Sequence, residues 1–357
     1  MAMARTRVVG QVPRNIGVAE PKTQLMGEHD ALFKKFFTVP ENAAGELRSV
    51  LPPRLVGELD LSRLEVMPGT FVSRELRLRH TDLLVRVPFR RPRGGHTHAY
   101  IYVVLEHQSK VDPEMPYRML EYMVRIWTEL RLEDPSRWTL PVVIPLVVHH
   151  GARPWSGPRT LHALVEGLDE QPELRRFVPD FELLIDDLAV ATDAQLMARP
   201  LAPAAQIAAW LLRDGRDVEA ILAHLEVWAT RLAEVVTQHP DESTALLRYI
   251  LLAGGVKSLD QVRNTILLHV PAAEAPMASA GEQLIQQGFQ LGVQQGVQQG
   301  EMRALRDALT SLLEHRFGAS EAAMAQPRIE GREASELKRM LLRVPSATTV
   351  ADVFAMD

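Results

Sequence analysis

The chain has 357 residues, of which 46% are hydrophobic, and a net charge of −5; that is enough apolar content for at least one large core and a length that predicts roughly two or three domains. It contains no cysteine, which excludes disulfides and thiolate metal sites, and its acidic balance argues against a chain that coats nucleic acid without specificity. No apolar run is long enough to span a membrane, and Met1 to Gln24 carries Arg5, Arg7 and Arg14 without a continuous apolar segment, so no secretory signal is read there and a cytoplasmic location is expected.

Residues 1–26 lack periodicity and read as a mobile leader. Asp30 precedes Leu32, Phe33, Phe36 and Phe37, whose spacing gives one apolar helical face with Asp30 as a cap or first-turn acid. A helix over Glu41 to Leu51 stops at Pro52-Pro53, and Leu59 to Val66 leads into a strand-like run near Thr70 to Arg77. Strands follow at Asp82 to Val87 and Ala99 to Gln108, separated by the turn Arg90-Arg-Pro-Arg-Gly-Gly95. Seven arginines between Arg74 and Arg93, against Glu75 and Asp82, predict a local basic face despite the acidic total. After Gln108 the period changes: Met119, Tyr122, Met123 and Ile126 share a face of a helix over Pro116 to Trp127. Pro141 to Val148 is a buried strand candidate ending at Gly151, so strand, helix and strand predict a crossover with parallel pairing. Phe181 to Ile185 adds a further strand, and Asp193 to Val270 is almost wholly helical in pattern.

The fold class is therefore α/β with a mixed central sheet, followed by a helical region and a helical tail. Val270 to Gly281 reads as a linker. Beyond it Gly288, Gly292, Gly296 and Gly300 recur at four-residue spacing, flanked by Phe289, Val293 and Val297. In a helix these glycines form one stripe that admits a close backbone, which predicts homo-oligomerisation through this tail; the alternative is a flexible tether. Leu305 to Phe317 and Glu336 to Leu342 suggest a small helical tail domain.

The chemistry-bearing motif is Glu106-His107-Gln108-Ser109 at the end of the apolar run Ala99 to Leu105, with Asp82 24 residues earlier. Residues i and i+2 of a strand share a face, so Glu106 and Gln108 project together and converge with Asp82 if the two runs pair. Two carboxylates fixed by neighbouring strands suit a hard divalent cation such as Mg²⁺ or, equally by donor type, Mn²⁺ or Ca²⁺, and the reaction such a site serves is phosphodiester cleavage. Lys110 lies on the same face if the strand continues, whereas His107 lies on the other. Arg90, Arg91 and Arg93 are candidates for tracking phosphates beside the site, and Arg118 either contacts phosphate or pairs with an acid. His149-His150 has no partner ligands at zinc spacing.

His29-Asp-Ala-Leu-Phe-Lys34, Thr81-Asp-Leu-Leu84, Tyr100-Ile-Tyr102 leading to Glu106-His-Gln-Ser109, Met115-Pro-Tyr-Arg118, Tyr122, and Leu140-Pro-Val-Val-Ile-Pro145 running to His150-Gly151 and Trp155 together resemble the Rpn family of recombination-promoting nucleases, also described as YhgA-like transposases. The resemblance covers about Glu28 to Leu188. It implies a PD-(D/E)XK restriction-endonuclease-like core and metal-dependent DNA cleavage associated with recombination, with Asp82 and Glu106 in the acidic positions and Gln108 where much of the wider superfamily has Lys. A neutral amide positions water or a phosphate oxygen but does not neutralise developing charge, a role left to Lys110 or a nearby Arg. The resulting division is 1–26 leader, 27–190 nuclease-like core, 191–270 helical extension, 271–283 linker, 284–303 repeat helix or tether, and 304–357 helical tail.

Overall fold

The computed structural model describes residues 21–67, 82–93, 96–106, 111–136 and 138–355, in two compact units, Met1–Gly281 and Glu282–Asp357. In the first, α1 (Pro21–Phe37), α2 (Pro40–Val50) and α3 (Pro53–Glu58) precede a five-stranded sheet of β1 (Glu65–Val66), β2 (Asp82–Arg93), β3 (His96–Glu106), β4 (Val143–His149) and β5 (Leu184–Asp187). Pro40 and Pro53 each open their helix, where a missing amide hydrogen costs no intrahelical bond. The strands lie in chain order, the pairs β1–β2 and β2–β3 antiparallel, β3–β4 and β4–β5 parallel. A parallel step needs a crossover, and α4 (Met115–Glu133) supplies it between β3 and β4.

The two faces of the sheet follow from strand alternation. Tyr100 and Tyr102 of β3, Leu84 of β2, and Val143 and Val147 of β4 pack with Met115, Met119, Tyr122, Met123, Ile126 and Leu130 of α4. These α4 residues recur at three- and four-residue spacing, and burying each contributes roughly 1.5–3 kcal/mol. Asp186, one residue out of phase with this face, meets α2: Arg199 joins it to Glu46. The buried Asn42 side chain on α2 donates to the Phe36 carbonyl and accepts from the Ala202 amide, both at 3.0 Å. Gly45 allows α2 its close approach, since a Cβ there would lie 2.0 Å from the Pro200 carbonyl oxygen.

Behind this layer stand α5 (Asp193–Met197), α6 (Pro203–Asp214), α7 (Val218–Gln238) and α8 (Pro240–His269). Helix α6 is buried on nearly every side, as an all-round apolar helix must be, and Trp210 stacks on Trp228 of α7 with ring centres 5.3 Å apart. The expected strand at Phe181 to Ile185 is displaced to Leu184–Asp187: Leu184 aligns with Leu146, and both aspartates find partners, Asp186 in Arg199 and Asp187 in the Trp155 amide. The run Thr70 to Arg77 lies outside the described residues.

The expected linker is helical. A short 3₁₀ turn over Pro271–Ala273 leads into α9 (Glu274–Phe317), because Ala273, Met277 and Ala280 fall at helical spacing and are buried, and Pro276 sits in the first turn, where it is tolerated. The glycine repeat is part of α9, so the tether alternative does not hold for it. Beyond Glu282, α9 continues into α10 (Ala319–Ile329), α11 (Ala334–Arg343) and α12 (Val350–Val353), which close a core around Leu309, Leu313, Ile329, Leu337 and Phe354.

Candidate active site

Strand register assembles the site. Asp82 opens β2 opposite Val104 of β3, and Glu106 ends β3 two residues later; directly opposed residues and i, i+2 residues share a face, so Asp82, Val104 and Glu106 occupy positions on the face that α4 covers. Parallel pairing extends this row. Glu106 aligns with His149 of β4, and His149 with Asp187 of β5. Four polar positions thus stand together where β3, β4 and β5 end, the edge at which open α/β sheets bind ligands.

The described side chains give this edge its shape. His149 is 1% exposed. Its Nε2 lies 2.9 Å from the Arg153 carbonyl oxygen, while Nδ1 is buried with no hydrogen-bond partner among the described residues. Asp187 is spent on backbone: one oxygen accepts from the Trp155 amide at 2.7 Å and the other from the Ala189 amide at 3.2 Å. Trp155 in turn sets its ring edge-on to His149, with centres 5.4 Å apart. The 151–156 loop so fixed borders an open cleft of about 270 Å³ lined by Val111, His149, Gly151, Arg153 and Ser156. On the other side of Gly151 and Ala152 a second cleft, about 600 Å³, is walled by Asp193, Arg213, Asp214, Arg216 and His224. Arg213 there is held by Asp193 at 2.6 Å and Asp214 at 2.7 Å; burial works against its charge, and the hydrogen bonds it donates to Asp214 and Asp193 outweigh burial and hold its pKa above the ordinary value.

Asp82 and Glu106 are placed by register, and Gln108, Lys110 and His107 lie outside the described residues. Arg90 is exposed, and with Arg91 and Arg93 it stands at the hairpin end of β2. Eight residues of strand separate Arg90 from Asp82, about 26 Å at 3.3 Å per residue. The expectation that these arginines flank the carboxylates is therefore corrected: an antiparallel hairpin puts its turn at the far end from the residues that open and close it. Arg118 pairs with Asp112, and burial, which opposes its charge, is outweighed by hydrogen bonds with Asp112 and Tyr122 that raise its pKa. Asp30 lies inside α1 rather than at its cap, because the helix begins earlier, at Pro21.

His149 and Asp187 were not singled out as site residues from sequence. Their partners lie across strands rather than along the chain, so no spacing rule marks them; the usable signal was the continuous apolar run of Pro141 to Val148, which the strand extends by one residue to His149.

A family model described as "Putative transposase, YhgA-like" matches residues 27–242. The chain belongs to this family. It is 30% identical over 261 residues to the recombination-promoting nuclease RpnD of Escherichia coli O157:H7, covering 72% of this chain and 93% of that relative. It is 28% identical over 232 residues to recombination-promoting nuclease RpnC of Escherichia coli K12, 65% of this chain and 72% of the relative. It is likewise 28% identical over 263 residues to the K12 inactive recombination-promoting nuclease-like protein RpnE, 73% of this chain and 83% of the relative. No solved structure matches. The family match spans the whole sheet and the helices through α7, so the site lies within it. No helix among the described residues is long and apolar enough to cross a membrane.

Proposed function

We propose that the chain is a divalent-metal-dependent DNA endonuclease with a PD-(D/E)XK-type core, acting in the cytoplasm in DNA recombination. The observation that carries this reading is the register of β2 on β3, which gives Asp82 and Glu106 neighbouring positions on one face where β2 begins and β3 ends. The family's named nucleases support the same chemistry, and the succession of helix, antiparallel hairpin, crossover helix and parallel strand supports the core type.

The donor set suits a hard cation, two carboxylate oxygens being the ligands Mg²⁺, Mn²⁺ and Ca²⁺ accept. When bound, such a cation supplies Lewis acidity toward a phosphoryl oxygen and lowers the pKa of a water. Asp82 and Glu106 would hold the cation, and Gln108 would orient the attacking water or the phosphate through its amide. Lys110 or a nearby arginine offsets the negative charge that grows on the phosphate. Arg90, Arg91, Arg93 and Arg118 enter as contacts to the DNA backbone, the first three at a distance from the scissile bond. The exposed α9 stripe of Gly288, Gly292, Gly296 and Gly300, beside exposed Phe289, Val293 and Val297, serves self-association in this reading.

Plasmid nicking with Mg²⁺, Mn²⁺ or Ca²⁺ and EDTA controls tests it. Asp82→Ala and Glu106→Ala should each abolish cleavage with an unchanged circular dichroism spectrum. Wild-type rates in both variants would place the chemistry elsewhere, and no cleavage by the parent across metals and DNA forms would leave a binding or assembly protein, like the relatives named inactive.

A further inference from the structure

We infer that His149 is a nitrogen ligand of the same metal site, making it suited to a borderline transition cation such as Mn²⁺ and not only to Mg²⁺; the inference rests on the acidic pair being that site. Register puts His149 beside Glu106 on the cleft face. A carbonyl oxygen only accepts, so the 2.9 Å contact from Nε2 to the Arg153 carbonyl assigns the ring hydrogen to Nε2. The lone pair is then on Nδ1, which is buried and unpartnered among the described residues. Leaving a buried acceptor unsatisfied is unfavourable, and a ligand is what would satisfy it. A ring nitrogen bound to a backbone carbonyl with the other bare and buried is the arrangement of metal-ligating histidines, whose outer hydrogen bond fixes tautomer and orientation.

The surroundings hold the ring still. Asp187 pins the Trp155 amide, the pinned loop presents the Arg153 carbonyl, and Trp155 backs the imidazole. Gly151 is required beneath it, because a Cβ there would approach the ring to 2.5 Å. His150 does not share this role: one residue out of phase, its Nδ1 faces the Leu212 carbonyl at 3.2 Å, and its ring packs on His29 of α1, 4.8 Å between centres. Imidazole nitrogen favours later first-row cations over Mg²⁺ and Ca²⁺, which prefer oxygen.

The test is pulsed EPR on the full chain loaded with Mn²⁺, together with calorimetric titration of Mn²⁺ and of Mg²⁺. We expect a directly coordinated ¹⁴N coupling in the parent, lost in His149→Phe, which keeps a ring against Trp155, and in His149→Gln. Mn²⁺ affinity should fall tenfold or more in both variants, and Mg²⁺ affinity less than threefold. A parent spectrum without ¹⁴N coupling overturns the inference without needing any variant, as does coupling that survives both substitutions. Asp82→Ala and Glu106→Ala separate the two ideas. If they abolish Mn²⁺ binding while the parent lacks ¹⁴N coupling, the acidic site stands and His149 is not its ligand; if they leave binding and coupling intact, both readings fall.

Discussion

Replacing Glu46 by Gln should remove a pH-dependent weakness from the junction of α2 with β5. Arg199 donates to Glu46 Oε1 at 2.6 Å and to both oxygens of Asp186 at 2.7 and 2.8 Å, and the side chains of Arg199, Glu46 and Asp186 are only 10%, 7% and 8% exposed. One guanidinium against two carboxylates leaves an uncompensated negative charge in a poorly solvated place, which is costly, so one carboxyl keeps its proton. Burial first, and then the Asp186 charge, push Glu46 up to about 8. Burial would raise Asp186 too, but hydrogen bonds with Arg199 and Glu46 outweigh it and hold Asp186 below the usual carboxylate range.

The unfolded chain releases the Glu46 proton near 4.5 and the folded chain near 8. Between those values the folded state binds the extra proton, so this group's contribution is fully present below pH 4.5 and is lost as pH rises through 8. At about 1.4 kcal/mol per pH unit, the whole loss is on the order of 5 kcal/mol, about 4 kcal/mol of it between pH 4.5 and pH 8.5. Gln is neutral throughout and retains an oxygen for Arg199. The stability of Glu46→Gln relative to the parent should therefore rise by on the order of 4 kcal/mol between pH 4.5 and pH 8.5, read from paired urea unfolding curves followed by circular dichroism. A difference that stays constant within about 1 kcal/mol across that range would show that Glu46 is ionised in the folded state and would refute the charge argument.

Gly45→Ala should destabilise the first unit by about 3 kcal/mol or more, read as a lowered urea midpoint, since its Cβ would meet backbone rather than a movable side chain. Gln108→Lys should retain plasmid nicking, whereas Lys110→Ala should lower it only if Lys110 supplies the charge; an unchanged rate at several metal concentrations removes Lys110 from the mechanism. Replacing Gly292 and Gly296 together by Leu should lower the mass measured by light scattering if the stripe packs against another helix, even though each change raises helix propensity by about 1 kcal/mol. An unchanged mass would remove the stripe from assembly.

The hairpin of β2 and β3, the crossover α4 and the buried β4 were legible because each carries its own pattern: short apolar runs in the strands, three- and four-residue spacing for Met119, Tyr122, Met123 and Ile126. The strand ends on which Asp82 and Glu106 stand were legible for the same reason. What escaped was set by tertiary context. Asp186 and Asp187 are poor strand formers by propensity, and they join β5 because Arg199 and the Trp155 amide satisfy them. Pro271 to Gly281 has the composition of a linker, and its helix is stabilised by burying Ala273, Met277 and Ala280. The arginines of the β2–β3 turn were misplaced because nearness in sequence to Asp82 was taken for nearness in space, which an extended strand denies.

Two dipeptides show how tightly the edge is specified. His149 ends β4 with His150 just after it, Asp186-Asp187 ends β5, and in each the residues turn to opposite sides: His149 and Asp187 shape the cleft, while His150 and Asp186 anchor the sheet to α1, α2 and Arg199. To a composition-based reading the members of each pair are interchangeable, but to the sheet they are not. A one-residue slip of β5 would carry Asp187 toward Arg199 and Asp186 toward the loop, and would also turn Leu184 and Ile185 to the wrong faces, so the apolar residues lock the register that the polar ones use. The catalytic reading and the fold thus depend on a single alignment: Arg199, by holding Asp186, keeps Asp187 on the Trp155 amide, and through that loop it keeps the Arg153 carbonyl on His149.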